Sequence, residues 1–252
     1  MSVPNEMEGW KGRVALVTGA SSGIGAAVAR ALSEAGLRVV MWARRMDRLE
    51  ELAGKLPGEV LLRKVDLRSE EEILAGFEHL RERWGGCDAL INNAGLGHKT
   101  SVMEGETGAW REMLEVNVLG LLICTREALS DMRRRENAGH VIHLSSMAGH
   151  RVPPGTGVYS ATKFAVRALT EATRQELREI ESPIRVSAIS PGLVVTEFHE
   201  KFYQSRERAE EVYGRHQCLR AADVAQQVIW LLGQPPHAEI HDILMRPTAQ
   251  KS

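Results

Sequence analysis

Thr18-Gly19-Ala20-Ser21-Ser22-Gly23-Ile24-Gly25 follows the apolar run Val14–Val17 and leads into a helical pattern that begins at Ile24. Glycine lets a backbone turn sharply and come close to an anion with no Cβ in the way. A helix starting at Ile24 would aim its unpaired N–H groups and the positive end of its dipole at the turn. Taken alone, such a stretch reads equally as a small-residue turn. A strand before it and a helix after it favour a pyrophosphate site. The glycines at 19, 23 and 25 are separated by three residues and then one, whereas the ordinary dinucleotide fingerprint has one and then two.

The same alternation continues outward from the turn. Arg13–Thr18, Arg38–Ala43, Val60–Asp66, Cys87–Asn92, Gly139–Ser145, Ile184–Ser190 and Ile240–Met245 read as strands, mostly continuous apolar runs. Continuous runs suit strands covered on both faces, as in a parallel sheet between helices. Ile24–Ala35, Asp47–Lys55, Glu70–Trp84, Trp110–Arg134, Val158–Glu179 and Asp223–Leu232 read as helices. Ser69 with Glu72 has the form of a capping box, and Gly36 stands where the first helix would end. Strand–helix alternation predicts an α/β fold: a single-domain, Rossmann-type, doubly wound parallel sheet of about seven strands flanked by helices, over residues 1–252. Leu193–Arg220 breaks the rhythm, with Phe198, Phe202, Tyr203 and Tyr213 among charged residues. It reads as a solvated excursion or, because it follows the carboxyl end of a strand, as a lid over a ligand; its position favours the lid.

Bulk properties narrow the function. The chain has 252 residues, 43% hydrophobic and 26% charged, with a formal net charge of -1. No basic field recruits nucleic acid or an anionic membrane, and no apolar run approaches a membrane span. Val14–Val17 is too short for the core of a cleaved leader and reads as the first strand. Cys87, Cys124 and Cys218 are odd in number and far apart, which fits a reducing, cytoplasmic setting better than a disulfide framework or zinc. His140, His143 and His150 match no zinc spacing, so no metal is expected.

Tyr159 and Lys163 lie four apart at the start of a helical pattern, on one face. A polar helix edge explains such a pair equally well until Ser146 is added, at the end of the fifth strand. Hydroxyl, phenol and ammonium then converge at the carboxyl edge of the sheet, beside a dinucleotide bound at the glycine turn. Carbonyl reduction needs hydride on carbon and a proton on oxygen, so an acid must face that oxygen. An ammonium roughly 4–5 Å from a phenol supplies about 3–4 kcal/mol at an effective dielectric near 20. That would lower the phenol by about two to three pH units.

These residues in this order resemble the short-chain dehydrogenase/reductase family along essentially the whole chain. The resemblance implies Tyr159 as acid/base, Lys163 as its tuner and ribose anchor, and Ser146 as partner of the substrate oxygen. It implies Asn117 as holder of a water in the proton relay. It further places a cofactor against Gly19, Ser21, Ser22, Gly23, Ile24 and Gly25; against Asp66 and Leu67 at the adenine; and against Asn93, Ala94 and Gly95. Pro191, Gly192, Val194 and Thr196 would hold the nicotinamide end. Cys124-Thr125-Arg126-Glu127-Ala128, Gly149-His150-Arg151-Val152, Arg174-Gln175-Glu176-Leu177-Arg178 and Met245-Arg246-Pro247-Thr248 are similar to a cluster of vertebrate and insect members acting on keto-steroids and farnesol. The loop between Ser146 and Tyr159 is shorter here.

NADP is the expected cofactor. The position at the end of the second strand that carries a carboxylate in NAD enzymes is Ala43, and Arg44 and Arg45 follow. A guanidinium there can fork onto a 2′-phosphate, Arg44 above all. Ser22 occupies the place where some NADP-binding relatives carry a basic residue. The expected activity is an NADP-dependent interconversion of a carbonyl and a primary or secondary alcohol, on bulky apolar substrates such as keto-steroids or isoprenoids. The alternatives are a dehydrogenase of small 3-hydroxy acids, for which Lys201 and Arg206 could hold a carboxylate; an epimerase-like enzyme sharing the tyrosine–lysine pair; and a non-catalytic dinucleotide-binding protein. A homodimer or homotetramer is expected through Trp110–Arg134 and Val158–Glu179. The small face Ala161, Phe164, Ala165, Ala168, Ala172 would pack either on a partner helix or on its own sheet.

Overall fold

The computed structural model describes residues 7–250; residues 1–6 and 251–252 of the expected domain lie outside the described residues. The strands are β1 (Val14–Thr18), β2 (Arg38–Ala43), β3 (Val60–Lys64), β4 (Ala89–Asn92), β5 (His140–Leu144), β6 (Arg185–Pro191), β7 (Val194–Val195), β8 (Leu219–Arg220) and β9 (Asp242–Met245). The helices are α1 (Gly23–Glu34), α2 (Met46–Ala53), α3 (Glu70–Trp84), α4 (Thr107–Leu114), α5 (Leu121–Arg134), α6 (Gly157–Glu179), α7 (Phe198–Tyr203), α8 (Arg206–Gly214) and α9 (Ala221–Gly233). Seven strands form one parallel sheet in the order β3-β2-β1-β4-β5-β6-β9.

Alternation along each strand divides the core into two layers. Ala15 and Val17 of β1, Val39 and Met41 of β2, and Ala89 and Ile91 of β4 face the layer completed by α1 and α9. Their neighbours Val14, Leu16, Val40, Trp42 and Leu90 face the layer of α3 and α5. Both faces are covered, so most strand residues are apolar and a period of two is hard to see in the sequence. Trp42 meets Phe77 edge-on at 5.0 Å between ring centres, both buried. Each such buried side chain contributes about 1.5–3 kcal/mol.

Helix ends follow local chemistry. α1 closes at Gly36 in a Schellman pair, with Leu37 N donating to Leu32 O and Gly36 N to Ser33 O. At α3 only half of the expected capping box forms. Ser69 Oγ accepts from Glu72 N, but the Glu72 carboxylate takes the N–H of Asp66 instead, at 2.8 Å. It thereby secures the chain leaving β3, which ends two residues before the expected Asp66. The expected helix Trp110–Arg134 starts at Thr107 and contains a π turn, Glu115–Gly120, between α4 and α5. Asn117 sits in that turn, and π turns inside α-helices concentrate at functional sites.

The chain order puts the switch point between β1, which leads to β2, and β4, which leads to β5. Ligands of open parallel sheets bind where the connections part, at the carboxyl ends. The segment after β6 turns back over this edge as β7, α7, α8 and β8, the last pairing with β7. Among the described residues, no helix is long and apolar enough to cross a membrane.

Candidate active site

The turn after β1 is held in place from β4. Asn93 Nδ2 donates to Thr18 O at 2.9 Å and Gly19 O at 3.2 Å, and Thr18 Oγ1 accepts from the N–H groups of Asn93 and Ala94. Gly19 has a φ of +67°, and a Cβ there would stand 2.8 Å from Ala94 Cα, so no other residue fits. Ser22, the residue before α1, makes no side-chain cap. Its hydroxyl and that of Ser21 accept instead from the Arg45 guanidinium, at 2.8 and 3.1 Å. The first N–H groups of α1 thus face a cavity of about 290 Å³ without a side-chain acceptor.

That cavity is walled by Gly19, Ser21–Ile24, Ala43–Arg45, Val65–Leu67, Asn93–Gly97, Thr196 and Glu197. The two arginines behave differently. Arg45 is committed to Ser21, Ser22 and, at 2.9 Å, to Glu197. Arg44 is half-exposed and touches one carboxylate, Glu112, only at 3.8 Å. Asp66 is engaged by Arg68, whose hydrogen bonds hold its carboxyl below the ordinary range against the opposing effect of burial. Glu197 also binds Arg48; burial pushes its carboxyl up, but the hydrogen bonds from Arg48 and Arg45 prevail and bring it to about 2.

A second cavity, about 370 Å³, adjoins the first and contains the expected triad. Ser146 caps a short 3-10 turn, Met147–Gly149, by accepting from Ala148 N at 3.1 Å. Tyr159 and Lys163 come from the first turns of α6. Lys163 Nζ donates to Leu144 O at 2.8 Å and lies 5.9 Å from the centre of the Tyr159 ring. Burial brings the ammonium down to about 8. Burial pushes the Tyr159 phenol up to about 12, and a hydrogen bond with Ser146 opposes this only in part. The expected lowering by lysine is therefore absent in this state: Lys163 is spent on a backbone carbonyl, and desolvation dominates the phenol.

Asn117 joins two parts of the site. Its amide forms a reciprocal pair with Leu96, Nδ2 donating to Leu96 O at 2.8 Å and Oδ1 accepting from Leu96 N at 2.9 Å, and it reaches Thr162 Oγ1 at 3.0 Å. The side chain ties the loop after β4 to α6. Pro191 and Gly192 form the rim at the end of β6, with Gly192 N bonded to Met245 O. Val194 is buried in β7, and Thr196 is clasped by Tyr213, whose hydroxyl donates to Thr196 O at 2.8 Å.

The segment 193–220 covers the second cavity. Phe198 and Phe202 stand 5.4 and 6.2 Å from the Tyr159 ring, and Lys99 N bonds Phe202 O. Lys201 faces the first cavity and pairs with Glu197, while Arg206 is exposed with Glu210, so neither lines the second cavity. Two arginines for which the sequence suggests no role at the site line the second cavity, Arg151 and Arg215. The only signal was Arg151's place between Ser146 and Tyr159. The three histidines separate: His140 bonds Ser187, His143 lies between Thr125 and Thr170, and His150 meets Ser190 and Asp242.

A phenol, a hydroxyl and an ammonium beside an anion-binding turn can protonate an oxygen next to a bound dinucleotide. The model of the short chain dehydrogenase family matches residues 13–207, and the chain belongs to this family of oxidoreductases. It is similar to "Dehydrogenase/reductase SDR family member 11" of Bos taurus, 51% identical over 97% of this chain and 99% of that one. It is 39% identical to "Farnesol dehydrogenase" of Aedes aegypti, over 97% of this chain and 100% of that one. Among solved structures, the closed form of a serine dehydrogenase complexed with NADP+ superposes with a TM-score of 0.90 at 33% identity, covering 95% and 96% of the two chains.

Proposed function

We propose that the protein interconverts a carbonyl and an alcohol with NADP(H), on substrates with a bulky apolar body. The observation that carries this reading is the convergence of Ser146, Tyr159 and Lys163 on one cavity that opens onto the uncapped start of α1. The glycine turn would take the pyrophosphate, Arg44 the 2′-phosphate, Asp66 and Leu67 the adenine, Asn93–Gly95 its ribose, and Pro191–Thr196 the nicotinamide half. When bound, the nicotinamide supplies the hydride that the carbonyl carbon accepts. Ser146 orients the substrate oxygen, and Tyr159 gives it the proton that completes the alcohol. A phenol near 12 holds its proton throughout the neutral range, which suits reduction. Lys163, released from Leu144 O, would hold the ribose and make the phenolate left by each turnover less costly.

Apolar substrates are supported by Leu193, Pro153, Phe198, Phe202 and Val212 in the cavity wall and by the likeness to the farnesol enzyme. A screen of keto-steroids, isoprenoid aldehydes and short hydroxy acids with both cofactors tests this. Turnover confined to short hydroxy acids would reject it. A homo-oligomer in the cytoplasm completes the proposal. On α6 the buried face is Thr162, Lys163, Val166 and Thr170, whereas Phe164 is exposed, with Leu114 and Leu119 also exposed on the preceding helices. The small-residue face therefore does not pack on its own sheet.

A further inference from the structure

Three cationic side chains line the substrate cavity, Arg151, Lys163 and Arg215, and among the described lining residues there is no carboxylate. The cofactor cavity differs, for Asp66 and Glu197 stand among its arginines and lysine. A cation facing an apolar cavity is costly unless something pairs with it. Two of the three are occupied: Lys163 by Leu144 O, Arg215 by Glu211 at 3.1 Å. Arg151 is not. Its Nε is buried with no hydrogen-bond partner, and no carboxylate of the described residues pairs with its guanidinium. It leaves the 3-10 turn that begins at Ser146 and shares the cavity with Tyr159.

Ser146 and Tyr159 answer for the reacting oxygen, so Arg151 faces some other part of the substrate. We propose that Arg151 anchors an anion-accepting subsite, and that the preferred substrate joins an apolar body to a carboxylate remote from the reacting carbonyl. The planar fork of a guanidinium matches a carboxylate with two parallel hydrogen bonds. The inference rests on the carbonyl–alcohol reading above and adds the second polar end of the molecule.

The test compares a long-chain methyl ketone with its ω-carboxylate analogue, in wild type, Arg151→Gln and Arg151→Lys. In Arg151→Gln, KM for the carboxylated ketone should rise roughly ten- to hundredfold, with kcat and the plain ketone little changed. Arg151→Lys, which keeps the charge, should recover part of the loss. Calorimetric binding of a straight-chain fatty carboxylate, which has no carbonyl to reduce, should weaken in parallel. Equal losses on both ketones would make Arg151 structural and overturn the proposal, as would no change on either. If wild type reduced neither ketone but bound the fatty carboxylate through Arg151, the subsite would stand and the carbonyl reading would fall.

Discussion

The two cavities share Ile24, Asn93, Gly95, Thr196 and Phe198 as a common wall, yet they are built in opposite ways. The cofactor side is made of backbone: a left-handed glycine, the ends of β1 and β4, and the first N–H groups of α1. Its anions are balanced within the protein, Glu197 against Arg45 and Arg48. The substrate side is made of side chains on short elements, with aromatic rings from α7 set tilted and edge-on against Tyr159 and a guanidinium left over. Backbone recognition tolerates little sequence change, because each position is fixed by φ and by close approach. Side-chain recognition can vary while the fold stays the same.

Tyr159→Phe is expected to have the largest effect. Positioned acids contribute about 10²–10⁴-fold, so turnover should fall by that order while the dissociation constant of NADPH, read by fluorescence titration, stays within a factor of about two. Parallel loss of both would mean that Tyr159 belongs to the cofactor side. Lys163 lines the substrate side, and because it is proposed to hold the ribose as well, Lys163→Met should reduce turnover and NADPH affinity together. Its ammonium, brought down to about 8 by burial, is charged below that pH and neutral above it. Reductive kcat/KM should therefore be flat on the acid side and decline as pH rises through about 8. A pH–rate profile flat to pH 10 would remove the ammonium from the reaction.

The arginine pair sharpens the comparison further. Arg44→Ala should weaken NADPH roughly ten- to hundredfold, the worth of one charge-assisted contact, and leave NADH unmoved. Arg45→Ala removes the brace on Ser21 and Ser22 and should weaken both cofactors alike. Titrating both variants with both cofactors decides, and an Arg44→Ala loss shared by NADH would return the 2′-phosphate to Arg45. The smallest effect is expected at Glu197, which belongs to the covering segment but grips the cofactor side. It is partly exposed, so Glu197→Gln should shift KM values only about two- to fivefold. A larger change confined to bulky substrates would show that this clasp holds the cover shut.

The same division governs what the sequence reveals. The sheet, the glycine turn and the Ser146–Tyr159–Lys163 set could be read because each is a spacing along the chain that the backbone converts directly into position. The π turn at Asn117 could not, since an added backbone register barely disturbs an apolar helical pattern. The preference for Arg44 could be read from its place after Ala43, but Arg45's grip on Ser21, Ser22 and Glu197 could not, because Arg45 lies just before α2 and the geometry of that turn aims the side chain. β7 and β8 are two residues each, too short to carry a pattern. Arg151 became conspicuous only when the described charges around the cavity could be counted.

Whether hydride passes between a nicotinamide and a carbonyl carbon in this site is most directly decided with NADPH deuterated at the transferring position. Wild-type protein is incubated with a bulky ketone, and the alcohol is analysed by mass spectrometry. The account predicts one deuterium on the carbinol carbon, and about 10²–10⁴-fold less alcohol from Tyr159→Phe under the same conditions. Alcohol lacking that deuterium, or labelled alcohol formed undiminished by Tyr159→Phe, would contradict it.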